Sequence, residues 1–222
     1  MKNQEYYLKT TNNNQRLIII LPGLMTNALS EIITPLSRIK YKCDIVSLTL
    51  YDGKTKLHQD IKRIIERVNH FLAHYARRKQ YKHVYIIGHS FGSSILMLSR
   101  LPKSIEKIVF WSPSPWIPKD GHRTLKSAGK YLYKLNKFHI SKTLARDLAK
   151  LDIRKMVKNI RGYKLFIYFS KGDDKAVWVE LFKNDILAKN VKIVNTKYPH
   201  MYNKKQLTAL YQKTEQALLD ID

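Results

Sequence analysis

A serine with a glycine two residues to either side stands near the middle of the chain, in the pentapeptide GHSFG at 88–92. The apolar residues 84–87 precede it, and small residues at 93–94 follow it. A strand-to-helix turn tight enough to push a serine hydroxyl into a crevice has no room for side chains at those flanking positions. The first amides of the helix would face a developing oxyanion. The pattern therefore predicts a nucleophile at Ser90.

A structural interpretation of the same turn also stands. Gly88 and Gly92 would then serve only the close packing of a helix on a strand, and Ser90 would cap that helix. His89 lies beside the candidate nucleophile, but neighbouring side chains on a turn point in different directions. We therefore interpret His89 as a bystander.

A serine hydroxyl is a weak nucleophile unless a base accepts its proton and an acid orients that base. Candidates follow two later apolar runs: Asp173 and Asp174 in the glycine turn SKGDDKAV, and His200 in KYPHMYNK. The order serine, aspartate, histidine along the chain is that of a hydrolase built on strand ends. We therefore expect three loops to converge on one crevice.

Short apolar runs alternate with stretches of helical spacing along the chain. We assign strands to residues 16–23, 42–50, 81–88, 104–111, 163–170 and 190–196. Their continuous apolarity indicates burial on both faces, and apolar residues at spacings of three and four predict helices at 57–75, after Ser90 and at the end of the chain. The predicted fold class is α/β: a doubly wound, mostly parallel sheet of about six strands, with helices on both faces. Loops at the carboxyl ends of such strands form the ligand crevice.

The charge is strongly basic, with 41 Lys and Arg against 17 Asp and Glu and a net charge of +24. Residues 119–164 hold 14 of the basic residues and only three acids (Asp120, Asp147 and Asp152). Most of them fall within a strandless segment at about 113–160, which we interpret as a basic helical insertion. Its lysines and aromatic residues would suit an anionic membrane surface or an acidic substrate. Because no nucleic-acid-binding motif accompanies them, nucleic acid is disfavoured as a partner.

The length of 222 residues predicts a single domain, 1–222, and no apolar run is long enough to cross a bilayer. The polar N-terminus predicts a cytoplasmic protein, with peripheral membrane association as the alternative. The single cysteine, Cys43, is interpreted as a small buried strand residue. Glu66, His70 and His74 share a helix face but do not form the metal motif H-E-x-x-H, so we predict a solvated face and no metal site.

Taken together, these motifs and elements resemble the α/β-hydrolase superfamily from the strand at 16 to the last helix. The resemblance implies a Ser-Asp-His triad, in which the acid turn commonly has a valine three residues after the aspartate. Asp174 with Val177 matches this spacing, although the glycine lies one residue closer than usual, so Asp174 is the favoured acid and Asp173 the alternative. His200 is the implied base.

The resemblance also implies an oxyanion hole formed by backbone amides. One is that of Phe91, and the other is that of Leu24 in LPGLMTN, with Met25 as the competing donor. The insertion would act as a short cap over the crevice.

The resulting hypothesis is a cofactor-free serine hydrolase, a carboxylesterase or thioesterase, whose substrate is a small ester or thioester. Acyl transfer to another alcohol remains an alternative reaction. The alternative function is a binding protein with a vestigial site that associates with anionic membrane or nucleic acid through its basic surface. The sequence makes no prediction of oligomeric state.

Overall fold

The computed structural model describes residues 5–8, 14–23, 43–50, 60–113, 144, 147, 153–171, 190–198 and 203–219. The strands are β1 (Glu5–Leu8), β2 (Arg16–Leu21), β3 (Asp44–Leu48), β4 (His83–His89), β5 (Ile105–Trp111), β6 (Lys164–Phe169) and β7 (Val191–Asn195). The helices in these ranges are α1 (Ile61–Ala76), α2 (Phe91–Leu98), α3 (Ile153–Lys158) and α4 (Lys204–Leu219).

The strands form one sheet in the order β1-β3-β2-β4-β5-β6-β7. Strands β2 to β7 are parallel, which confirms the six predicted strands and the mostly parallel sheet. Strand β1 was not predicted from the sequence; it pairs antiparallel with β3, with Glu5 opposite Leu48 and Leu8 opposite Ile45. A four-residue edge strand in a polar segment lacks the continuous apolarity by which the inner strands are recognised.

Helices cover both faces of the sheet, as predicted. Because successive strand side chains point to opposite faces, Leu17 and Ile19 of β2 lie in one core and Ile18 and Ile20 in the other. The first core also contains buried residues of α1, α2 and α3. The second contains buried residues of α4.

Helix α1 begins where Asp60 caps it, because the carboxylate accepts hydrogen bonds from the amides of Lys62 (2.7 Å) and Arg63 (3.4 Å). Its buried side chains are those of Ile64, Val68, Phe71, Leu72, Tyr75 and Ala76, the stripe that the spacing predicted. Residues 57–59 of the predicted helix lie outside the described residues.

The opposite side of α1 is solvated, as predicted for the acid and histidines there. Glu66, His70 and His74 are all exposed. His74 Nε2 lies 2.8 Å from a guanidinium nitrogen of Arg78. Within the described ranges, no group of three or more His, Cys, Asp or Glu residues is placed to hold a metal ion.

Polar contacts dock α4 on the carboxyl-terminal half of the sheet. Trp111 Nε1 donates to Thr214 Oγ1 (3.0 Å), and the Trp111 ring packs edge-on against Tyr211 with ring centroids 4.5 Å apart. Lys107 is only 4 % exposed, and its ammonium donates to the carbonyl of Leu218 (2.8 Å). The Lys107 ammonium lies at the carboxyl end of α4, where a cation complements the helix dipole. Together, these contacts fix the position of α4 on the sheet.

The predicted insertion at 113–160 falls mostly outside the described residues. Its described end, α3, packs into the core through Met156 and Val157, and Asn159 donates from its side chain to the carbonyl of Met97 in α2 (2.8 Å). None of the helices in the described part of the chain combines the length and the apolarity needed to cross a bilayer.

Cys43 is fully buried, which confirms the predicted burial, but it lies directly before β3 and not within the strand. Burial raises the pKa of its thiol from 9.0 to about 12, against a smaller opposing effect of Arg16. A thiol with such a pKa is protonated and unreactive at neutral pH.

The raised pKa of Cys43 predicts a loss of stability in alkali. Above pH 9 the thiol ionises in the unfolded chain but not in the folded one, so the free energy of unfolding falls between pH 9 and 12. At pH 10 the expected contribution is about 1.4 kcal/mol. Urea unfolding of the wild type and of Cys43→Ala at pH 8 and pH 10 measures it. The variant should lose about 1 kcal/mol less over this interval, and an equal loss in the two proteins would contradict the prediction.

Candidate active site

Ser90 lies on a strained turn between the carboxyl end of β4 and the start of α2. Its φ of 49° and ψ of −114° are angles that residues other than glycine rarely adopt. The Ser90 amide donates to the carbonyl of Trp111 (3.0 Å), and its carbonyl accepts from the amide of Ser93 (3.1 Å). The neighbouring strand and the new helix therefore hold this backbone from both sides.

The structure does not give Ser90 the role of a helix cap. Ser90 occupies the position before α2, but its side chain makes no capping hydrogen bond, and the residue is partly exposed. The adjacent His89 ends β4 and is buried, with 6 % exposure. The exposed edge of this turn therefore belongs to the serine.

Gly92 allows the start of α2 to lie directly against the end of β2. A Cβ atom there would lie 2.1 Å from the carbonyl oxygen of Leu21 and 2.7 Å from that of Pro22. A Cβ on Gly88 would lie 2.9 Å from Cα of Ser93. Both glycines thus make room for backbone, and the turn carrying Ser90 is correspondingly tight.

The contact at Gly92 also concerns the predicted oxyanion hole. The amide of Phe91 belongs to the first turn of α2, where amides have no acceptor within the helix. Leu24, like its alternative Met25, lies outside the described residues. Pro22, two residues before Leu24, is described, and its carbonyl lies close to Gly92 at the start of α2.

The loops predicted to carry the acid and the base leave adjacent strands and are hydrogen-bonded to each other where they begin. The amide of Thr196 donates to the carbonyl of Phe169 (2.8 Å), and that of Lys171 donates to the carbonyl of Tyr198 (2.7 Å). Lys171 is followed three residues later by Asp174, and Tyr198 two residues later by His200. Asp173, Asp174 and His200 themselves lie outside the described residues.

A pair of buried serines at the same ends of the strands was not predicted from the sequence. Ser112 follows β5 and Ser170 follows β6; their hydroxyl oxygens are in hydrogen-bond contact, and both are fully buried. Ser112 has a φ of 42°, and its amide donates to the carbonyl of Tyr168 (2.7 Å). The available signal was a serine directly after each of two neighbouring strands, where side chains converge.

Ser90 and Ser112 are the two non-glycine residues with positive φ in the described ranges. They follow adjacent strands, because β4 pairs with β5. Backbone strain of this kind clusters at functional sites. The carboxyl edge of β4, β5, β6 and β7 is therefore the candidate site.

The strand order, the antiparallel β1 and the strained serine turn after a central strand define an α/β-hydrolase fold, and the chain has this fold. A lipase-esterase related protein from Clostridium acetobutylicum is similar in structure, with a TM-score of 0.63, 16% identity and coverage of 99% of this chain and 100% of its own. The hydrolase OLEI00960 from Oleispira antarctica has a TM-score of 0.67 and 15% identity, with coverage of 97% and 95%.

A third similar structure is MGS-MChE2, an α/β hydrolase enzyme from the metagenome of lagoon sediments of Mar Chica, Morocco. Its TM-score is 0.64 at 16% identity, with coverage of 97% of this chain and 94% of its own. In sequence, no family model and no curated protein matches this chain. The similarity is therefore one of fold, retained over nearly the whole length.

Proposed function

We propose that this protein is a serine hydrolase that cleaves a small ester or thioester through an acyl-enzyme on Ser90. The observation that carries the proposal is the Ser90 backbone, whose strained angles hold a partly exposed serine at the carboxyl ends of the parallel strands. Strain of about 1–3 kcal/mol would be relieved by glycine at this position, so a serine held there suggests a use for its hydroxyl. The similar structures named above include hydrolases and an esterase-related protein.

In the proposed reaction, Oγ of Ser90 forms a bond to the substrate carbonyl carbon while His200 accepts the hydroxyl proton. Asp174, with Asp173 as the alternative, orients the imidazole and stabilises its cation. The resulting oxyanion would accept hydrogen bonds from the amides of Phe91 and Leu24. His200 then returns the proton to the leaving alcohol or thiol as the carbon–oxygen or carbon–sulfur bond breaks.

Water completes the proposed cycle by attacking the acyl-enzyme, with His200 again accepting and returning a proton. No cofactor takes part in these steps. The paired loops after β6 and β7 support the arrangement, since the hydrogen bond between Lys171 and Tyr198 holds together the segments that lead to the acid and the base.

Hydrolysis of p-nitrophenyl esters from acetate to octanoate, with acyl thioesters assayed by thiol release, tests the proposal. The wild type should turn over at least one substrate and be labelled by a fluorophosphonate, and Ser90→Ala should do neither. Ser99→Ala is a matched control, because the hydroxyl of this buried serine at the other end of α2 donates to the carbonyl of Ile95 (2.8 Å). Equal rates in the wild type and Ser90→Ala across the panel, with no labelling, would contradict the proposal.

The Ser112–Ser170 pair provides a further prediction for the same site. Ser112→Ala removes one hydrogen bond from the buried hydroxyl of Ser170, which should lower the free energy of unfolding by about 1–2 kcal/mol. Since Ser170 begins the segment that runs to Asp174, kcat should fall as well. Ser99→Ala should lose similar stability without the loss of kcat. Urea unfolding and ester kinetics measure both effects, and equal kcat values for the two variants would count against a positioning role.

The alternative function, a vestigial hydrolase that binds anionic membrane or nucleic acid, derives from the basic segment 119–164, most of which lies outside the described residues. The strained Ser90 favours the enzyme, because a disused turn could relax. Binding to anionic vesicles, DNA and RNA at increasing salt separates the two functions. Tight, salt-sensitive binding without any esterase activity would favour the alternative.

A further inference from the structure

An open groove lies at the opposite end of the parallel strands from Ser90. It occupies about 630 Å³ between α1 and residues 100–104, which lead into β5. Ser90 follows the carboxyl end of β4, whereas this groove lies at the amino end of the parallel strand β5. One strand length, about 20 Å for a seven-residue strand, therefore separates the two sites.

Cationic side chains dominate the groove. Arg77, Arg100 and Lys103 line it, together with His70 and a single acid, Glu66. All five are exposed, and within the described part of the chain none of them takes part in an ion pair. Cations that share a concave surface without paired carboxylates create a local positive potential, which an anion would relieve.

The backbone beneath these cations is held in place. The amide of Arg100 donates to Oδ1 of Asn69 (2.7 Å), and the hydroxyl of Ser104 donates to the carbonyl of Ala76 at the end of α1 (3.0 Å). Two hydrogen bonds thus tie the segment that carries Arg100 and Lys103 to the helix that carries Arg77. The spacing of the cations is built into the fold at the level of the backbone.

The groove also has an apolar part, formed by the partly buried side chains of Ala73, Leu101 and Pro102. A volume of several hundred Å³ suits a small molecule. One guanidinium group can donate two parallel hydrogen bonds to a phosphate, and an ammonium can donate a further charge-assisted hydrogen bond. The combination matches a ligand that has both a phosphate and an apolar group.

We propose that this groove binds a small organic phosphate, with the phosphate on Arg77, Arg100 and Lys103 and the apolar part on Leu101 and Pro102. This site is separate from the crevice at Ser90 and does not depend on the proposed hydrolase reaction. A small ligand is favoured over a polyanion because the cations converge on one concavity that also contains apolar side chains and an acid. An extended polyanion would be served by a continuous basic stripe.

Calorimetric titration of the full chain with phenyl phosphate, inorganic phosphate and benzyl alcohol tests the proposal. Phenyl phosphate should bind saturably and more tightly than inorganic phosphate, and benzyl alcohol should not bind saturably. Arg77→Gln with Arg100→Gln should weaken phenyl phosphate at least about 10-fold, the equivalent of one lost charged hydrogen bond. Replacing both arginines with lysine should weaken phenyl phosphate binding less than replacing both with glutamine, because lysine keeps the charge. Some weakening should remain, because lysine cannot donate two parallel hydrogen bonds to the phosphate.

The matched control is Lys62→Gln with Lys213→Gln, which removes the same charge from two exposed lysines outside the groove. It should bind phenyl phosphate as the wild type does, and so should Ser90→Ala, because the crevice is at the other end of the sheet. Equal weakening in the control, loss of binding in Ser90→Ala, or no saturable binding by the wild type would overturn the proposal. Titrations with an RNA 20-mer and with anionic vesicles complete the test. The proposal would also be overturned if Arg77→Gln with Arg100→Gln weakened the binding of RNA or vesicles while phenyl phosphate did not bind the wild type.

Discussion

Replacing Ser90 with alanine is expected to reduce ester or thioester hydrolysis by about 10⁴-fold or more, with KM nearly unchanged. The loss is large because the proposed reaction has no other nucleophile, whereas helix α2 does not depend on this hydroxyl, since the Ser90 side chain does not cap it. Steady-state kinetics on the best substrate of the ester panel measures the loss. A decrease of less than about 10-fold would contradict a nucleophilic Ser90.

A second substitution at the same position separates chemistry from backbone strain. Ser90→Gly should be as inactive as Ser90→Ala, but it should relieve the strain of a φ of 49°. After the entropic cost of glycine, we expect Ser90→Gly to be more stable than Ser90→Ala by about 1 kcal/mol. Urea unfolding of the two inactive variants measures the difference, and equal stabilities would mean that the turn is not strained.

Gly92→Ala is expected to have the largest effect on stability, lowering the free energy of unfolding by about 3 kcal/mol or more. The new Cβ would lie 2.1 Å from the carbonyl oxygen of Leu21, a backbone atom of β2 that cannot rotate away. Either α2 must move off the sheet, or the end of β2 must shift with Pro22. Both movements would displace one side of the proposed oxyanion hole, so kcat should fall in the protein that remains folded.

Gly162→Ala is the matched control for this substitution. Gly162 has a φ of +94° and nothing within 4 Å of an added Cβ, so alanine there is penalised for its backbone angle alone. The expected cost is about 1 kcal/mol, without a change in ester hydrolysis. Urea unfolding and kinetics on both variants test the contrast. If Gly92→Ala cost no more than Gly162→Ala, the close contact between α2 and β2 would be wrong.

The two glycines show why the Ser90 turn could be recognised from sequence. At Gly92 and Gly88 the reason for glycine is local crowding of backbone, and crowding at fixed positions around a turn leaves a pattern in the sequence. The strain at Ser90 leaves no such pattern, because serine is the residue in either interpretation of the turn. Only the backbone angles and the missing capping hydrogen bond separate the nucleophile interpretation from the helix-cap interpretation.

The serine pair and the groove could not be predicted for a different reason. Ser112 and Ser170 are 58 residues apart, and they meet only because β5 and β6 pair in a particular register. The groove combines the end of α1 with residues 100–104, which the path of α2 and β4 brings together. Long-range pairing of this kind is set by the whole sheet, and no local periodicity records it.

By itself, the sequence determined the six parallel strands and the helices α1, α2 and α4, because burial on one or two faces imposes its period on the residues. It also determined the position of Ser90 at a strand end. The tertiary structure decided the strand order, the antiparallel β1, and the hydrogen bond between Lys171 and Tyr198 that joins the two loops. These features depend on contacts between distant segments, whose energies are realised only when the sheet has formed.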